Sequence, residues 1–386
     1  MKAVILLVDD ARLNREVLKL ALGPAKYRFL EAANGQEAID ILQAHQVDLI
    51  LLDLMTPVMD GFEFLKWRMD NPAYTSIPVI VNSALDNFDS IKKALDMESY
   101  DYFTRPLTEQ DLKVILPLKV KNAINAKKTF QELKLKTERL EKEIELAGKY
   151  QRFLLPENPK LSGLKVATFY QPFIGVAGDF FDVLELGGSV AMVIADVSGH
   201  GLLSAMVSSQ LKPLFARYIT QTRSPSQTFI RLNHDLLQLT REEDYVSAFC
   251  AYYDFQKEEL TYASAGHPDQ LFFSSKTGQV KRIGSSGFLL GMFDNNSPFV
   301  QQEEITVPVE PGDRLLMFTD GTFEATSPDL RRFGFERWQK AFEAAVDKTL
   351  QKTADELWQR LKVHSGVNFQ DDVAFVVIEF GGDLDL

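Results

Sequence analysis

This sequence predicts two α/β domains joined by a long polar helix, and three observations carry that reading. Over residues 1 to about 115, short apolar runs alternate with amphipathic helical stretches, the pattern of a doubly wound parallel sheet covered on both faces. A charged stretch with a seven-residue register and no interior proline follows, from 117 to 155. Beyond it, a second series of strand-like and helical runs extends to about residue 383. The division expected is therefore 1–116, 117–155 and 156–386.

In the first segment, Ala3–Val8 reads as a buried strand and Arg12–Leu22 as a helix. Val47–Leu52 reads as the second buried strand, Val79–Asn82 as a third and Asp101–Thr104 as a last short one. The middle segment places Ala126, Leu133, Leu140, Ala147 and Leu154 on one heptad position, and Ala123, Phe130, Thr137, Ile144 and Gln151 on the other. Such a seam predicts a coiled coil and a homodimer, the alternative being a helix that packs on its own domains. Pro156 and Pro159 end it. In the last segment Ser189–Ala195, Ala248–Asp254, Arg314–Thr319 and Val373–Phe380 read as strands, and Leu202–Tyr218, Thr228–Leu239 and Phe335–Ala345 as helices. The tail Gly381–Leu386 is expected to fray.

Composition excludes several function classes. The 386 residues carry a net charge of −12, which disfavours a nucleic-acid partner. No apolar run reaches the roughly 18–20 residues that span a bilayer, and Asp9-Asp10 interrupts the opening apolar run too early for a signal peptide. The single cysteine, Cys250, lies in an apolar run and reads as a buried structural thiol. Together these features predict a cytoplasmic protein with no membrane partner.

Asp9 and Asp10 follow the first strand and Asp53 follows Ile50-Leu51-Leu52. In a parallel sheet those ends share one edge, where sites of open α/β folds lie. Three carboxylates so placed repel one another unless a cation sits between them, and their hard oxygens suit Mg²⁺. Ser83 ends the third strand and Arg105 follows the last, adding a hydroxyl and a fixed cation to the same edge. A carboxylate beside Mg²⁺ and a cation is set up as a nucleophile toward a phosphoryl group. Each Asp alone would pass for a cap or turn residue, but the ordered set would not.

Val8-Asp9-Asp10, Leu51-Leu52-Asp53-Leu54-Met55-Thr56-Pro57, Asp60-Gly61 and Asp101-Tyr102-Phe103-Thr104-Arg105-Pro106 together resemble the motifs of response-regulator receiver domains. The resemblance implies Asp53 as phosphoacceptor, Asp9, Asp10 and the Met55 carbonyl around one Mg²⁺ with Asp53, and Ser83 and Tyr102 as switch residues. It also implies a cis peptide before Pro106 and a sensor histidine kinase as partner. Arg105 departs from the family's usual Lys, and the swap is not conservative at a tight phosphoryl site. A receiver that only docks or dimerises is the alternative.

The C-terminal segment repeats the theme. Ala177-Gly178-Asp179-Phe180-Phe181-Asp182, Ala195-Asp196-Val197-Ser198-Gly199-His200-Gly201, Thr319-Asp320-Gly321 and Gln370-Asp371-Asp372-Val373 each put an acid at a strand end. Three of these motifs contain glycine, where the backbone turns without a Cβ clash. Four such carboxylates can hold two hard cations about 4 Å apart, which activate water toward phosphate esters.

In order, and with Gln151-Arg152-Phe153-Leu154-Leu155-Pro156, Ala265-Gly266-His267-Pro268 and Ser286-Gly287-Phe288-Leu289-Leu290-Gly291, this region resembles bacterial metal-dependent (type 2C) phosphatases of the stage II sporulation protein E class. The resemblance implies an α-β-β-α sandwich and removal of phosphate from serine or threonine of an anti-sigma-factor antagonist. It implies two Mn²⁺ or Mg²⁺ ions, with Asp196 bridging and the Val197 carbonyl assisting. Asp179 would complete one metal site, and Asp320 with Asp371 the other. Two departures, Ala177 and Ala374, remove no ligand. His200 and His267 read as supporting residues, because glycines surround them and the site's ligands are oxygens. Phosphorylation of Asp53 is then expected to shift the linker helix, and with it the segment from Gln151 toward Asp179. A non-catalytic adaptor built on a degenerate phosphatase fold is the alternative; retention of all four acidic positions argues against it.

Overall fold

A computed structural model describes residues 2–83, 88–199, 201–240, 244–366 and 369–381. His200 and the tail beyond Gly381 lie outside the described residues, as does the side chain of Ser83. The chain divides into two compact units, Met1–Arg139 and Leu140–Leu386.

In the first unit the elements run β1 (Val4–Val8), α1 (Arg12–Leu22), β2 (Arg28–Ala32), α2 (Gly35–Ala44), β3 (Leu49–Asp53), α3 (Gly61–Met69), the short α4 (Pro72–Thr75), β4 (Val79–Ser83), α5 (Phe88–Asp96) and β5 (Asp101–Thr104). All pairs are parallel, in the order β2-β1-β3-β4-β5. The period of two divides β1 between the layers. Leu6 and Val8 pack with Ala38, Ile39 and Phe64 on one face, whereas Ile5 and Leu7 pack with Leu18, Leu22 and Val120 on the other. This is the doubly wound sheet that the sequence predicts.

In this unit one strand escaped the sequence reading. β2 is second in chain order, so the run taken as the second strand is the third, and it spans Leu49–Asp53 rather than Val47–Leu52. β2 pairs with β1 as an edge strand in which only Ala32 is fully buried and Arg28 and Glu31 are exposed, so it carries no apolar run.

A single π-helical turn (Asp111–Ile115) leads into α6 (Leu116–Leu154), a continuous helix of 39 residues that crosses the division between the units. The heptad seam is not uniform. Ala123 is buried with Val120 and Ile124 in the first unit's core, and Gln151 is buried in the second unit, whereas Phe130, Leu133 and Leu140 are exposed. No helix among the described residues is long and apolar enough to cross a membrane.

The second unit continues with β6 (Leu164–Gln171), β7 (Phe180–Glu185), β8 (Ser189–Val197), α7 (Leu202–Thr222), α8 (Pro225–Leu239), β9 (Val246–Asp254), β10 (Glu259–Ala265), β11 (Gln270–Ser274), β12 (Gln279–Ile283), β13 (Ile305–Pro308), β14 (Arg314–Phe318), the short α9 (Gly321–Glu324), α10 (Phe335–Glu343), α11 (Leu350–Ser365) and β15 (Val373–Phe380). Two antiparallel five-stranded sheets form, β13-β10-β9-β8-β7 and β12-β11-β14-β15-β6. Alternation along β15 sets the layers. Ala374, Val376 and Ile378 join the core that also holds Val193, Phe249 and Phe215. Val373, Phe375 and Val377 pack instead with Trp338, Leu357 and Leu361 of α10 and α11. The result is helices, sheet, sheet, helices. Cys250 is fully buried in β9, and burial pushes its thiol pKa well up, as suits an inert structural thiol.

Candidate functional site

The first unit gathers its acids at one edge of the sheet, because β1 and β3 are adjacent and parallel with Val8 beside Leu52. Asp9 follows β1 and is 1% exposed; Asp53 ends β3 and is 5% exposed. Gly61 adjoins this edge because no side chain fits there: a Cβ would lie 2.7 Å from the Asp53 carbonyl oxygen. The Met55 N–H donates to Asp53 Oδ1 at 3.0 Å. Arg105 reaches in from the end of β5, after which the Arg105-Pro106 peptide is cis. Its guanidinium pairs with Asp9 and lies 3.4 Å from Asp53 Oδ2. Burial raises the Asp53 pKa, while the Met55 N–H and Arg105 pull it down. Asp10 and Met55 are exposed at the same edge. Tyr102 is 36% exposed, with the Lys119 ammonium 5.5 Å from its ring centroid. The oxygen donors at this edge suit one Mg²⁺.

The second unit builds its site where the two sheets' strand ends meet. Asp196 is the penultimate residue of β8, Asp320 stands at the N-cap position of α9 two residues after β14 ends, and Asp371 lies two residues before β15. These three line a cleft of about 610 Å³ together with Ser198, Tyr245, Ser247, His267 and Gln370. Asp179, just before β7, is 2% exposed, and its Oδ2 accepts the Thr319 hydroxyl at 2.6 Å.

The glycines follow from close approach. A Cβ at Gly178 would sit 2.8 Å from the Val197 carbonyl oxygen, and one at Gly321 would sit 1.9 Å from that of Asp372. The other quoted acids do different work. Asp182 binds Lys212 at 2.9 Å, away from the cleft. Asp372 accepts the Phe173 and Gly178 N–H groups at 2.7 and 2.8 Å, which anchors the loop before Asp179.

Electrostatics sets the cleft apart. Burial is the largest cause that raises the Asp179 pKa well above the usual carboxylate range, with the Asp196 charge next. Burial, then Asp320, Asp371 and Asp372, push Asp196 up to about 8. Burial and Asp371 push Asp320 up to about 6. Among the described residues no three potential ligands already converge on one point as a metal cage. The donor set nonetheless fits hard divalent cations: oxygen ligands only, whose mutual repulsion is what shared positive charge relieves.

His267 supports the cleft as the sequence reading anticipates. Its Nε2 lies 3.1 Å from the Phe318 carbonyl oxygen, which only an N–H satisfies, so Nδ1 accepts the Ser247 hydroxyl at 2.7 Å. Burial pushes its pKa down to about 4, so the ring stays neutral. Sequence reasoning missed Tyr245, Ser247 and the roles of Thr319 and Asp372; the last two had a signal, Thr319 beside Asp320 and Asp372 in an acidic pair.

The end of α6 abuts this machinery within the second unit. Gln151 Nε2 donates to the Ala177 carbonyl at 2.7 Å and to Ser208 Oγ at 2.8 Å, and its Oε1 accepts the Ala177 N–H at 3.0 Å. A Cβ at Gly148 would lie 1.7 Å from the Gly175 carbonyl oxygen, so helix and loop touch backbone to backbone in the loop that leads to Asp179.

Residues 187–381 match the stage II sporulation protein E (SpoIIE) family, half of the chain. The chain belongs to the SpoIIE family. Residues 5–116 match the response regulator receiver domain, and the N-terminal unit is a receiver domain. Phosphoserine phosphatase RsbP of Bacillus subtilis is 29% identical over 202 residues, 51% of this chain and 48% of RsbP. Phosphoserine phosphatase RsbU of the same organism is 26% identical over 247 residues, 62% of this chain and 70% of RsbU. The chain thus spans about half the length of RsbP. The SiaA-PP2C domain of Pseudomonas aeruginosa has the same fold, with a TM-score of 0.55 at 18% identity, covering 64% of this chain and 98% of that domain. This SpoIIE-family chain therefore joins a receiver domain to a phosphatase-type domain like those of RsbU and RsbP.

Proposed function

We propose that this chain is a metal-dependent protein serine/threonine phosphatase governed by its receiver domain. One observation carries the reading: Asp196, Asp320 and Asp371 line one cleft, with Asp179 buried beside them, in a domain of the SpoIIE family. Asp179, Asp196, Asp320, Asp371 and the Val197 carbonyl would hold two Mn²⁺ or Mg²⁺ ions. Divalent cations supply Lewis acidity toward phosphate and lower the pKa of water.

The chain's own residues prepare the site. Thr319 orients Asp179 through its hydroxyl, and Asp372 fixes the loop before Asp179 by accepting two N–H groups. Neutral His267 accepts the hydrogen bond of the Ser247 hydroxyl at Nδ1, which leaves the Ser247 oxygen lone pairs for donors in the cleft. With no nucleophilic Ser or Cys required, water is the attacking group and the enzyme stays unmodified.

The substrate we propose is a phosphoserine or phosphothreonine of an anti-sigma-factor antagonist, in keeping with the resemblance to RsbU and RsbP. A sensor histidine kinase would phosphorylate Asp53, with Asp9, Asp10, Asp53 and the Met55 carbonyl around one Mg²⁺ and Ser83, Tyr102 and Arg105 reporting the change. Linker movement would act through Gln151, which holds Ala177, two residues before Asp179, by two hydrogen bonds and Ser208 by a third. The exposed Phe130, Leu133 and Leu140 support α6 as a dimerising coiled coil over 117–155.

Hydrolysis of an aryl phosphate with Mn²⁺, with and without beryllofluoride to mimic phosphorylated Asp53, tests the whole reading. Turnover that vanishes in Asp320→Ala and changes with beryllofluoride is expected. No turnover and no metal binding would favour a non-catalytic adaptor.

A further inference from the structure

The receiver pocket holds a charge arrangement that its motif does not imply. Arg105 makes three separate contacts in one guanidinium plane. Nε donates to Asn82 Oδ1 at 3.1 Å, Nη2 pairs with Asp9 Oδ2, and Nη1 lies 3.4 Å from Asp53 Oδ2. Asp9, Asp53 and Asn82 come from the ends of β1, β3 and β4, so the sheet edge offers three acceptors at fixed spacing. A forked, planar cation with several N–H groups can satisfy all three at once; an ammonium is one point charge and cannot.

The rest of these carboxylates is also engaged. Asp9 Oδ1 accepts the Ala11 N–H and the Asn14 amide, both at 2.9 Å. Asp53 Oδ1 accepts the Met55 N–H at 3.0 Å. Both residues are nearly excluded from solvent, whereas Asp10 is exposed. The pocket therefore carries its own positive charge, and a dication approaching Asp9 meets a guanidinium already paired there.

We propose that Arg105 is a tethered counter-cation that competes with Mg²⁺ for Asp9 and so raises the Mg²⁺ concentration the receiver needs. The inference rests on the reading of Asp9, Asp10 and Asp53 as a Mg²⁺-binding pocket. Mg²⁺ has to displace the Arg105–Asp9 pair, and the binding free energy is reduced by the cost of that displacement. Shortening the side chain to Lys, or removing its charge, frees Asp9 Oδ2 for the dication.

Calorimetric titration of the full chain with Mg²⁺ tests this, in a background of Asp196→Asn, Asp320→Asn and Asp371→Asn that silences the other acidic site. Arg105→Lys and Arg105→Gln should each bind Mg²⁺ about tenfold more tightly than the Arg105 protein, and Asp9→Asn should abolish the gain. Circular dichroism shows that each variant is folded, and two substitutions guard against failure of one. Equal affinity in all three proteins, tighter binding with Arg105, or no binding in any of them would overturn the proposal. Labelling of Asp53 by phosphoramidate at saturating Mg²⁺ separates the two readings: absent labelling with the tenfold gain intact would remove phosphorylation and leave the competition standing.

Discussion

The two acidic sites of this chain use the same ingredient and resolve it differently. In the receiver domain, buried Asp9 and Asp53 face a guanidinium from their own domain, and Arg105 pulls the Asp53 pKa down against the push of burial. In the phosphatase-type cleft, the forces on Asp196 all push one way: burial first, then Asp320, Asp371 and Asp372. One pocket is neutralised from within, and the other is left with repulsion that an added cation relieves. A buried acidic cluster with its own counter-charge has less to gain from an added cation than one whose charges only repel.

The largest test of that contrast removes a cleft carboxylate. Asp371→Asn should cut metal-dependent hydrolysis about a thousandfold, since Asp371 would help hold the cations that activate water toward phosphate; steady-state rates against Mn²⁺ concentration check it. Gly321→Ala comes next. Its new methyl would meet the Asp372 carbonyl oxygen at 1.9 Å, and the expected loss is about 3 kcal/mol of stability, read by urea unfolding.

A pH experiment sharpens the comparison further. Asp196 is raised to about 8 and Asp320 to about 6 in the folded chain, against about 4 when unfolded. The folded state therefore binds these protons more tightly, and the ionised forms destabilise it fully above pH 8. Metal-free protein should gain about 2 kcal/mol as the pH falls from about 8.5 to about 6, read as a rising melting temperature in chelator. Asp196→Asn should flatten that slope, and Mn²⁺ should reverse it by favouring the ionised carboxylates. A slope unchanged by Asp196→Asn would place the repulsion elsewhere. The smallest effect is expected from Thr319→Val, which removes the hydroxyl that Asp179 accepts at 2.6 Å. A loss of about 1–2 kcal/mol, seen as a roughly tenfold fall in kcat/KM, would mark its orienting role.

Much of the first unit was legible because buried parallel strands announce themselves as unbroken apolar runs. β2 was not, since an edge strand with Arg28 and Glu31 facing out carries no such run. In the second unit the acids were visible at strand ends, and the family resemblance singled out Asp371, although local sequence alone does not separate it from Asp372. The fold puts Asp371 on the cleft, and it alone shows Asp372 accepting the Phe173 and Gly178 N–H groups. The heptad register of α6 was equally readable, but Ala123 and Gln151 are buried within the two units rather than along an open seam.

By itself, then, the sequence determined the layers and the positions of the carboxylates, because hydrophobic period and strand-end glycines act locally. The tertiary structure alone decided what each carboxylate meets. Arg105 reaches Asp9 across 96 residues and Thr319 reaches Asp179 across 140. Charge and burial act through space, so the same residue type is neutralised in one pocket and left to repel its neighbours in the other.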